Sequence, residues 1–280
     1  MGSTSDHLLA QRVGGGQPNI SQTIIRKLKI PLPPLAEQKR VAGILNGADA
    51  VRAKRHESVA QLDTLLQSTF LDIFGDPVTN PMGWEVVQLG ELIRNIRNGL
   101  TRRRKVSENA GQIVLRLKDI RDGYIEFSDL NRIPLDQPEK DKYEVLDGDF
   151  LFIRVNGNPD YVGRCSPFYG FEEPVYFNDH IMRMRFELSE ILPNTLSFLL
   201  NSNYGRQQIT RHRKTSAGQH TINQDGLSKI EVFVPPLDLQ YRFKAIVDCI
   251  GRQKASQRAH LDELDTLFAS LQSRAFRGDL

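Results

Sequence analysis

Cationic side chains cluster at two places in the middle of this sequence. Between Arg94 and Lys118 there are eight basic residues against one acid, and between Arg206 and Lys214 there are four against none. Asp119–Asp149, in contrast, holds ten acids against four bases. Lys and Arg neutralise phosphates, whereas Arg, Asn and Gln side chains hydrogen-bond to base edges in the major groove. The two basic stretches therefore favour binding to double-stranded DNA.

Three segments that combine cations with polar side chains are predicted to lie on loops: residues 98–105, 154–158 and 211–221. Any one of these segments alone could be a solvated basic loop. Three of them in one central segment that has no catalytic motif favour nucleic-acid binding. Gln219 is a weaker candidate, because it recurs as Gln17 and a scaffold role explains that recurrence. The candidate DNA-binding residues are Asn98, Thr101, Arg102, Arg103, Arg104, Lys105, Arg154, Asn156, Asn158, Arg211, Arg213, Lys214, Ser216 and His220.

Motifs for catalysis are missing from the sequence. It contains no phosphate-binding loop of the Gly-x-x-x-x-Gly-Lys-Ser/Thr type, no Gly-x-Ser-x-Gly elbow and no His-Glu-x-x-His. Glu144, Asp147 and Asp149 stand ahead of a predicted strand, where a solvated Asp-Gly-Asp turn is a simpler explanation than a magnesium site. We predict no catalytic residue, no metal and no cofactor for this chain. An enzyme with an unfamiliar site is the less favoured alternative.

Composition sets broad bounds on the class of protein. The chain has 280 residues, a formal net charge of +3 and 39% hydrophobic residues, as in an ordinary globular protein. Cys165 and Cys249 are far apart and lack metal-ligand spacing, which favours a reducing compartment. No apolar run approaches the roughly 20 residues that span a bilayer. We expect a cytoplasmic protein with no membrane partner.

The elements that must position the basic segments are organised by an internal repeat. The stretch from Gln17 to Phe74 returns after a shift of 202 residues, beginning at Gln219. Pro33-Pro34-Leu35 matches Pro235-Pro236-Leu237, and no gap is needed over about sixty residues. Two copies therefore bracket one central segment.

Each copy predicts a strand-like run that ends at prolines, followed by a long helix. In the first copy the run is Ile24–Ile30, and the helix of about forty residues would be about 60 Å long. Apolar residues in alternating steps of three and four predict an antiparallel coiled coil. Whether the helices pair within one chain or between chains stays open. The predicted seam is Val41, Leu45, Ala48, Val59, Leu62 and Leu66 with Phe243, Val247, Ile250, Leu261, Leu264, Phe268 and Leu271, interrupted by Arg52 and Arg55 and by Lys254 and Gln257.

The central segment predicts a mixed α+β domain, with more antiparallel than parallel strand pairs. Short apolar runs alternate with Gly, Asp and Asn, and Ile191–Ile209 has helical spacing. The candidate strands are Glu85–Leu89, Gln112–Leu117, Tyr124–Phe127, Asp149–Val155, Val162–Pro167, Val175–Phe177, His180–Phe186 and Lys229–Val234.

At this point the sequence resembles a known family, the specificity subunits of type I restriction–modification systems. The doubled Pro-Pro-Leu-x-x-Gln, each running into a long helix, is its most specific part. Gly83–Gly90, Ile113–Ile120 and Gly148–Arg154 resemble segments of the family's target recognition domains. The resemblance covers nearly the whole chain from about Gly16 onward.

The resemblance implies a non-catalytic subunit that reads one half of a bipartite DNA target and docks methyltransferase subunits through its helices. In the family, those partners bind S-adenosylmethionine and methylate adenine, and a separate ATP-dependent restriction and translocase subunit completes the complex. The implied domains are a remnant of a preceding recognition domain (1–34), a first spacer helix (35–75), a target recognition domain (76–236) and a second spacer helix (237–280). The globular domain is thus flanked by the two long helices.

This sequence departs from the family pattern because most of the first recognition domain is lacking. We expect either a fragment or rearranged-locus product, or a half-length subunit whose homodimer, formed through the helices, restores two recognition domains. A dimer of identical halves would specify a palindromic split target. An alternative function is a coiled-coil interaction scaffold that no longer binds DNA.

Overall fold

The computed structural model describes residues 22–26, 32–101, 111–187 and 189–280, without the side chain of Ile24. The chain divides into two compact units. One comprises residues 1–56 with 260–280, and the other comprises residues 57–259. The helices are α1 (Gln22–Arg26), α2 (Leu35–Phe74), α3 (Leu89–Leu92), α4 (Gln137–Tyr143), α5 (Pro193–Asn201), α6 (Asn203–His212), α7 (Gln224–Ser228) and α8 (Leu237–Arg277).

The strands form one ribbon and three sheets, with the orders β1-β13, β2-β10-β6-β8, β11-β12-β7 and β4-β3-β9-β5. Among the described ladders, β3 with β9 is parallel and the others are antiparallel, as predicted. The strands are β1 (Glu85–Gln88), β2 (Ile93–Asn98), β3 (Gln112–Leu115), β4 (Arg132–Ile133), β5 (Glu144–Val145), β6 (Phe150–Ile153), β7 (Val155–Asn156), β8 (Cys165–Pro167), β9 (Val175–Phe177), β10 (Ile181–Phe186), β11 (Lys214–Ser216), β12 (Gln219–Thr221) and β13 (Glu231–Val234).

The two long helices begin and end where the sequence indicates. α2 starts directly after Pro33 and Pro34, whose fixed φ suits the first turn of a helix. It ends at Gly75, which adopts a φ of +81° and donates its amide to the carbonyl of Leu71 at 2.8 Å. A left-handed residue after a helix is usually glycine, and here a Cβ would also meet Pro81 at 2.7 Å. The predicted helices are therefore confirmed.

Within each unit the two long helices pair antiparallel and in the same chain. In the first unit, Arg40 binds the carbonyl of Leu280, and Arg52 binds Asp265 at 2.6 Å. As the residue number rises along α2, the number of the contacting residue at the C-terminal end of the chain falls, which defines an antiparallel pair. The predicted seam residues are buried or half-buried on both helices. Arg52 and Lys254 interrupt the seam as predicted, but each has an acidic partner.

In the second unit an aromatic cluster joins both helices to the central segment. Phe243 is fully buried and lies 5.4 Å, 5.3 Å and 4.9 Å from the rings of Phe70, Phe74 and Phe198. Lys254 binds Asp63 farther along the pair. Burying one such ring contributes about 2–3 kcal/mol, so this cluster fixes the helices against the domain core.

β6, in the middle of the β2-β10-β6-β8 sheet, is buried on both faces. Phe150 and Phe152 belong to the cluster that contains Phe243, whereas Leu151 and Ile153 belong to a second cluster with Ile181. Burial on both sides explains why β6 is a continuous apolar run and not an alternating one.

Three predicted elements differ from the structure. In place of the strand predicted at Ile24–Ile30, Gln22–Arg26 is helical, and residues 27–31 lie outside the described part. Tyr124–Phe127 forms only an isolated bridge from Ile125 to Ile120. Ile191–Ile209 is two helices, because Ser202 ends α5 with an extended conformation and caps α6 through Gly205.

Candidate nucleic-acid interface

The β11-β12-β7 sheet joins two of the three predicted DNA-binding segments. β11 and β12 form a hairpin in which Lys214 lies opposite Thr221 and Ser216 lies opposite Gln219. β7 pairs with the other side of β12, where His220 lies opposite Asn156. Side chains that are more than fifty residues apart in the sequence thus share one small sheet. The loop predicted at 211–221 is in fact a hairpin.

The hairpin turn consists of Ala217 and Gly218. Their φ angles are +47° and +75°, so both central residues are in the left-handed region. Two such residues make the turn whose twist matches a two-stranded ribbon. Alanine is unusual at the first of these positions, which is why the sequence indicates a loop here. The turn makes the ribbon narrow and leaves its tip in solvent.

Exposed cations lie beside and on this hairpin. Arg211 is exposed in the last turn of α6, and Lys214 is exposed on β11. Ser216 at the end of β11 is exposed as well. Neither Arg211 nor Lys214 has a salt bridge among the residues that the structure describes. Both charges are therefore available to a polyanion.

Two other predicted cations hold the main chain around the sheet. The half-buried Arg154 donates from Nη1 to the carbonyl of Asp179 at 3.0 Å. Arg213, also half-buried, donates from Nη1 to the carbonyl of Pro159 at 3.0 Å. Their guanidinium groups position the sheet, with part of each side chain still open to solvent.

The predicted polar residues of the sheet are linked to one another. His220 Nδ1 and Thr215 Oγ1 are 2.8 Å apart. Asn156 accepts from the amide of Asn158 at 2.8 Å, and Asn158 in turn accepts from the amide of Asp160 at 3.0 Å. The side chain of Asn158 thereby caps a short 3₁₀ turn. These bonds orient His220 and Asn156 in one row across the sheet.

The third predicted segment reaches the same region through the turn at residues 178–180. Asp179 donates its amide to the carbonyl of Leu100 at 3.0 Å, and Asp179 is also the residue that Arg154 binds. Gly99 lies so close that a Cβ would meet the carbonyl oxygen of Asn178 at 2.2 Å. Asn98 and Thr101 are exposed on either side of this contact. Arg102, Arg103, Arg104 and Lys105 lie outside the described residues.

Sequence reasoning missed the turn formed by Asn178, Asp179 and His180. It links Leu100 to Arg154, since Arg154 also donates its amide to the carbonyl of His180 at 2.9 Å. All three of its residues are half-buried. The available signal was the polar pair Asn178-Asp179 between the predicted strands Val175–Phe177 and His180–Phe186. That pair predicts a tight connection between the strands, but it does not predict a contact between distant segments.

The acidic turn before β6 is only partly the solvated turn that the sequence predicts. Asp147 is exposed, but Asp149 is 2% exposed and accepts from Arg185 Nε at 2.5 Å. This bond raises the pKa of Arg185, whereas burial lowers the pKa of Arg183 beside it. Asp149 is therefore an internal ion-pair partner. Among the described residues no cluster of three or more His, Cys, Asp or Glu side chains is placed to hold a metal.

No described helix is both long and apolar enough to cross a membrane. The candidate interface consists of one exposed hairpin, the loops that support it, and two cations that have no salt bridge to any described residue. Polar and positively charged groups on a narrow projecting ribbon suit a groove in duplex DNA better than a small-molecule pocket.

Comparisons with known proteins identify the family of the chain. The family model for the type I restriction modification DNA specificity domain matches residues 4–60 and 81–266. The chain is 30% identical to the type I restriction enzyme StySPI specificity subunit of Salmonella potsdam and 24% identical to the EcoKI specificity subunit of Escherichia coli K12. Each alignment covers 94% of this chain and 60% of the relative.

A solved structure extends the likeness to the fold. The crystal structure of a type I restriction–modification system S subunit from M. genitalium superposes with a TM-score of 0.57 over 97% of this chain and 69% of that one, at 16% identity. The chain spans about 60% of the length of the two relatives above. The match to the family model covers most of the chain, and the protein belongs to the family of type I restriction–modification specificity subunits.

Proposed function

We propose that this chain is the non-catalytic DNA-recognition part of a type I restriction–modification complex and reads one half of a bipartite target. Residues 76–236 form the target recognition domain in this proposal, and residues 35–75 and 237–280 are the spacer helices. Methyl transfer from S-adenosylmethionine and ATP-driven translocation belong to the partner subunits. This chain supplies the sequence preference.

One observation carries the proposal. The segments 98–105, 154–158 and 211–221 were each selected for their polar and basic residues. Residues 98–101, the described part of the first segment, meet the other two through Asp179 and the β11-β12-β7 sheet. Arg211 and Lys214 are exposed there, and Asn156 and His220 present hydrogen-bonding groups. Phosphate contacts supply affinity and contacts to base edges supply specificity, so this surface holds both kinds of group.

The long helices are proposed to dock methyltransferase subunits. Leu65 and Leu267 occupy matching positions in the two repeat copies and are 49% and 51% exposed, outside the seam. An exposed leucine on a long helix is a suitable anchor for a partner helix. Leu65→Lys and Leu267→Lys are expected to weaken binding of the methyltransferase and to leave the circular dichroism spectrum unchanged. Full binding by the double variant would exclude both leucines as anchors.

A second recognition domain is proposed to come from a second copy of this chain. Because α2 and α8 fill their seam within one chain, the homodimer must use another surface. Leu32 and Leu35, 82% and 65% exposed, offer an apolar one next to the half-buried Gln38. Light scattering is expected to give about twice 31.8 kDa at high protein concentration, and Leu35→Lys is expected to return it to 31.8 kDa. A constant 31.8 kDa would exclude the homodimer.

The DNA proposal is tested by binding to random-sequence duplexes at several salt concentrations, with and without the partner methyltransferase. Arg211→Ala is expected to reduce the slope of log affinity against log salt by about 1, because one phosphate contact is lost. Lys229→Ala is the matched control, since Lys229 is exposed but paired with Asp225 at 2.9 Å. Absence of salt-sensitive binding in every arm would instead indicate an interaction scaffold.

A further inference from the structure

The β11-β12 hairpin makes little contribution to the core, although its geometry is tightly fixed. Lys214, Thr215, Ser216 and Gln219 are all exposed. Among the described residues, the hairpin is held near its base, where the amide of Ile222 donates to the carbonyl of Arg154 at 2.9 Å. A projecting ribbon with polar side chains on both faces matches the width of the DNA major groove. Its two faces can therefore be assigned separately.

Alternation along the strands places different residues on the two faces. Lys214 and Ser216 share one face with their cross-strand neighbours Gln219 and Thr221, which we call the lysine face. Thr215 and His220 share the other face with Asn156 of β7, which we call the histidine face. The Thr215–His220 contact at 2.8 Å lies within the histidine face.

The internal repeat retains a cation at Lys214 and the amide at Gln219, both on the lysine face, and changes the other paired residues of the hairpin. The shift of 202 residues can be continued a few positions before Gln17. On the lysine face, Lys214 then corresponds to another cation, Arg12, and Gln219 corresponds to Gln17, whereas Ser216 corresponds to Gly14 and Thr221 to Asn19. Gly218 of the turn also corresponds to a glycine, Gly16. On the histidine face, His220 corresponds to Pro18 and Thr215 corresponds to Val13, so neither polar group is retained.

A protein that reads two unlike half-sites needs some contacts that are the same for both and others that differ. Contacts to phosphate and sugar carry no sequence information, whereas contacts to base edges do. Residues that the repeat retains suit the first role, and residues that it changes suit the second.

We infer that the lysine face holds the DNA backbone and the histidine face determines sequence preference. Lys214 contacts a phosphate and the Gln219 amide donates to a phosphate or sugar oxygen, whatever the bases are. His220 and Asn156 present donors and acceptors to base edges, as Asn commonly does with adenine. This inference rests on the proposed DNA-reading function, and it replaces the scaffold role for Gln219.

The test is selection of bound duplexes from a random pool by the full chain with its methyltransferase partner, followed by affinity measurements. Lys214→Ala is expected to weaken binding to every duplex and to lower the salt slope by about 1, with the selected sequence unchanged. Gln219→Glu is expected to weaken binding more than Gln219→Ala, because a carboxylate repels phosphate. Lys229→Ala again controls for loss of an exposed, paired cation.

His220→Ala and Asn156→Ala are expected to act oppositely. They should lower the preference for the selected duplex over a scrambled one by about tenfold and leave affinity for the scrambled duplex unchanged. His220→Gln keeps a polar group and checks that loss of folding is not the cause. A new selected sequence from Gln219→Ala, or an unchanged one from both His220 variants, would overturn the assignment. If the unaltered chain binds no duplex, the proposed function itself is wrong. If the unaltered chain binds but the variants behave otherwise than expected, only the assignment of the two faces is wrong.

Discussion

Arg52 donates from Nε to the carboxylate of Asp265 at 2.6 Å, and its guanidinium carbon lies 4.5 Å from the centre of the Phe268 ring. The equivalent residues of the other repeat copies form a second contact between the two helices. A shift of 202 residues converts Arg52 to Lys254, and the reverse shift converts Asp265 to Asp63. Lys254 and Asp63 also form an ion pair. Each unit therefore has one charged pair that fixes the register of its antiparallel helices, since a slipped seam would separate the partners.

Reversal of one charge tests this register. Arg52→Asp is expected to lower the thermal midpoint, because the new carboxylate faces Asp265 and also Asp49, which binds Arg52 at 2.8 Å. Adding Asp265→Arg should restore most of the loss by re-forming the pair in the opposite sense. Melting followed by circular dichroism at 222 nm measures both effects. A double variant no more stable than the single one would show that the pair does not fix the register.

Gln240 provides a test in which the repeat supplies the control. Its buried side chain accepts from the amide of Leu192 at 2.8 Å and donates to the carbonyls of Pro235 at 2.7 Å and Glu190 at 3.1 Å. Gln240→Ala should destabilise the fold by about 1–3 kcal/mol, since buried polar groups of the main chain lose their partners. Urea unfolding measures the change.

The matched control is Gln38→Ala. Gln38 donates to the carbonyl of Pro33 at 2.8 Å, as Gln240 does to Pro235, but it is only half-buried. Its loss is expected to cost less than 1 kcal/mol, because water can replace the partner. Equal costs at both positions would contradict the importance of the bonds to residues 190 and 192.

Asp149 is expected to be a strong determinant of stability. Asp149→Ala removes the partner of Arg185 and of the 6% exposed Arg183, whose Nε is 3.7 Å from the carboxylate. Removing one member of a buried pair costs about 3 kcal/mol, because the remaining charge stays uncompensated. Chemical unfolding should show this loss, and Asp147→Ala on the exposed side of the turn should be nearly neutral. A small effect of Asp149→Ala would mean that Arg183 finds another partner.

The two cysteines should differ in reactivity. Cys165 is fully buried, and burial raises the pKa of its thiol well above the usual range, whereas Cys249 is exposed. The thiolate is the reactive form, so iodoacetamide at pH 8 should modify Cys249 at least about tenfold faster. Mass spectrometry of native and urea-unfolded protein measures this. Rapid native labelling of a Cys249→Ser variant would indicate that the core around Cys165 opens easily.

The helices and their seam could be predicted because the signal is local and repeated. The prolines before Leu35, the glycine after Phe74 and the apolar spacing lie in the sequence itself. The short helix at Gln22–Arg26 could not, since five residues are too few to show a helical period and two isoleucines favour a strand. Its repeat equivalent α7 is a helix because Asn223 accepts from the amide of Gly226 at 2.8 Å.

The candidate site was harder to predict than the scaffold. Residue types identified the polar segments, but they did not show that Asp179 connects them, because this depends on long-range strand pairing. The β11-β12 hairpin was hidden for two reasons. Its strands have no inward-facing apolar residues, and Ala217 is not the usual residue for a turn with positive φ.

The bonds of Gln240 have a consequence for how such a protein can evolve. All three go to main-chain atoms, which are the same whatever side chains surround them. The contact between the second long helix and the segment at residues 190–192 therefore tolerates changes of side chain in that segment. A segment of different sequence could be held in the same way, provided that its backbone offers one amide and one carbonyl in the same places.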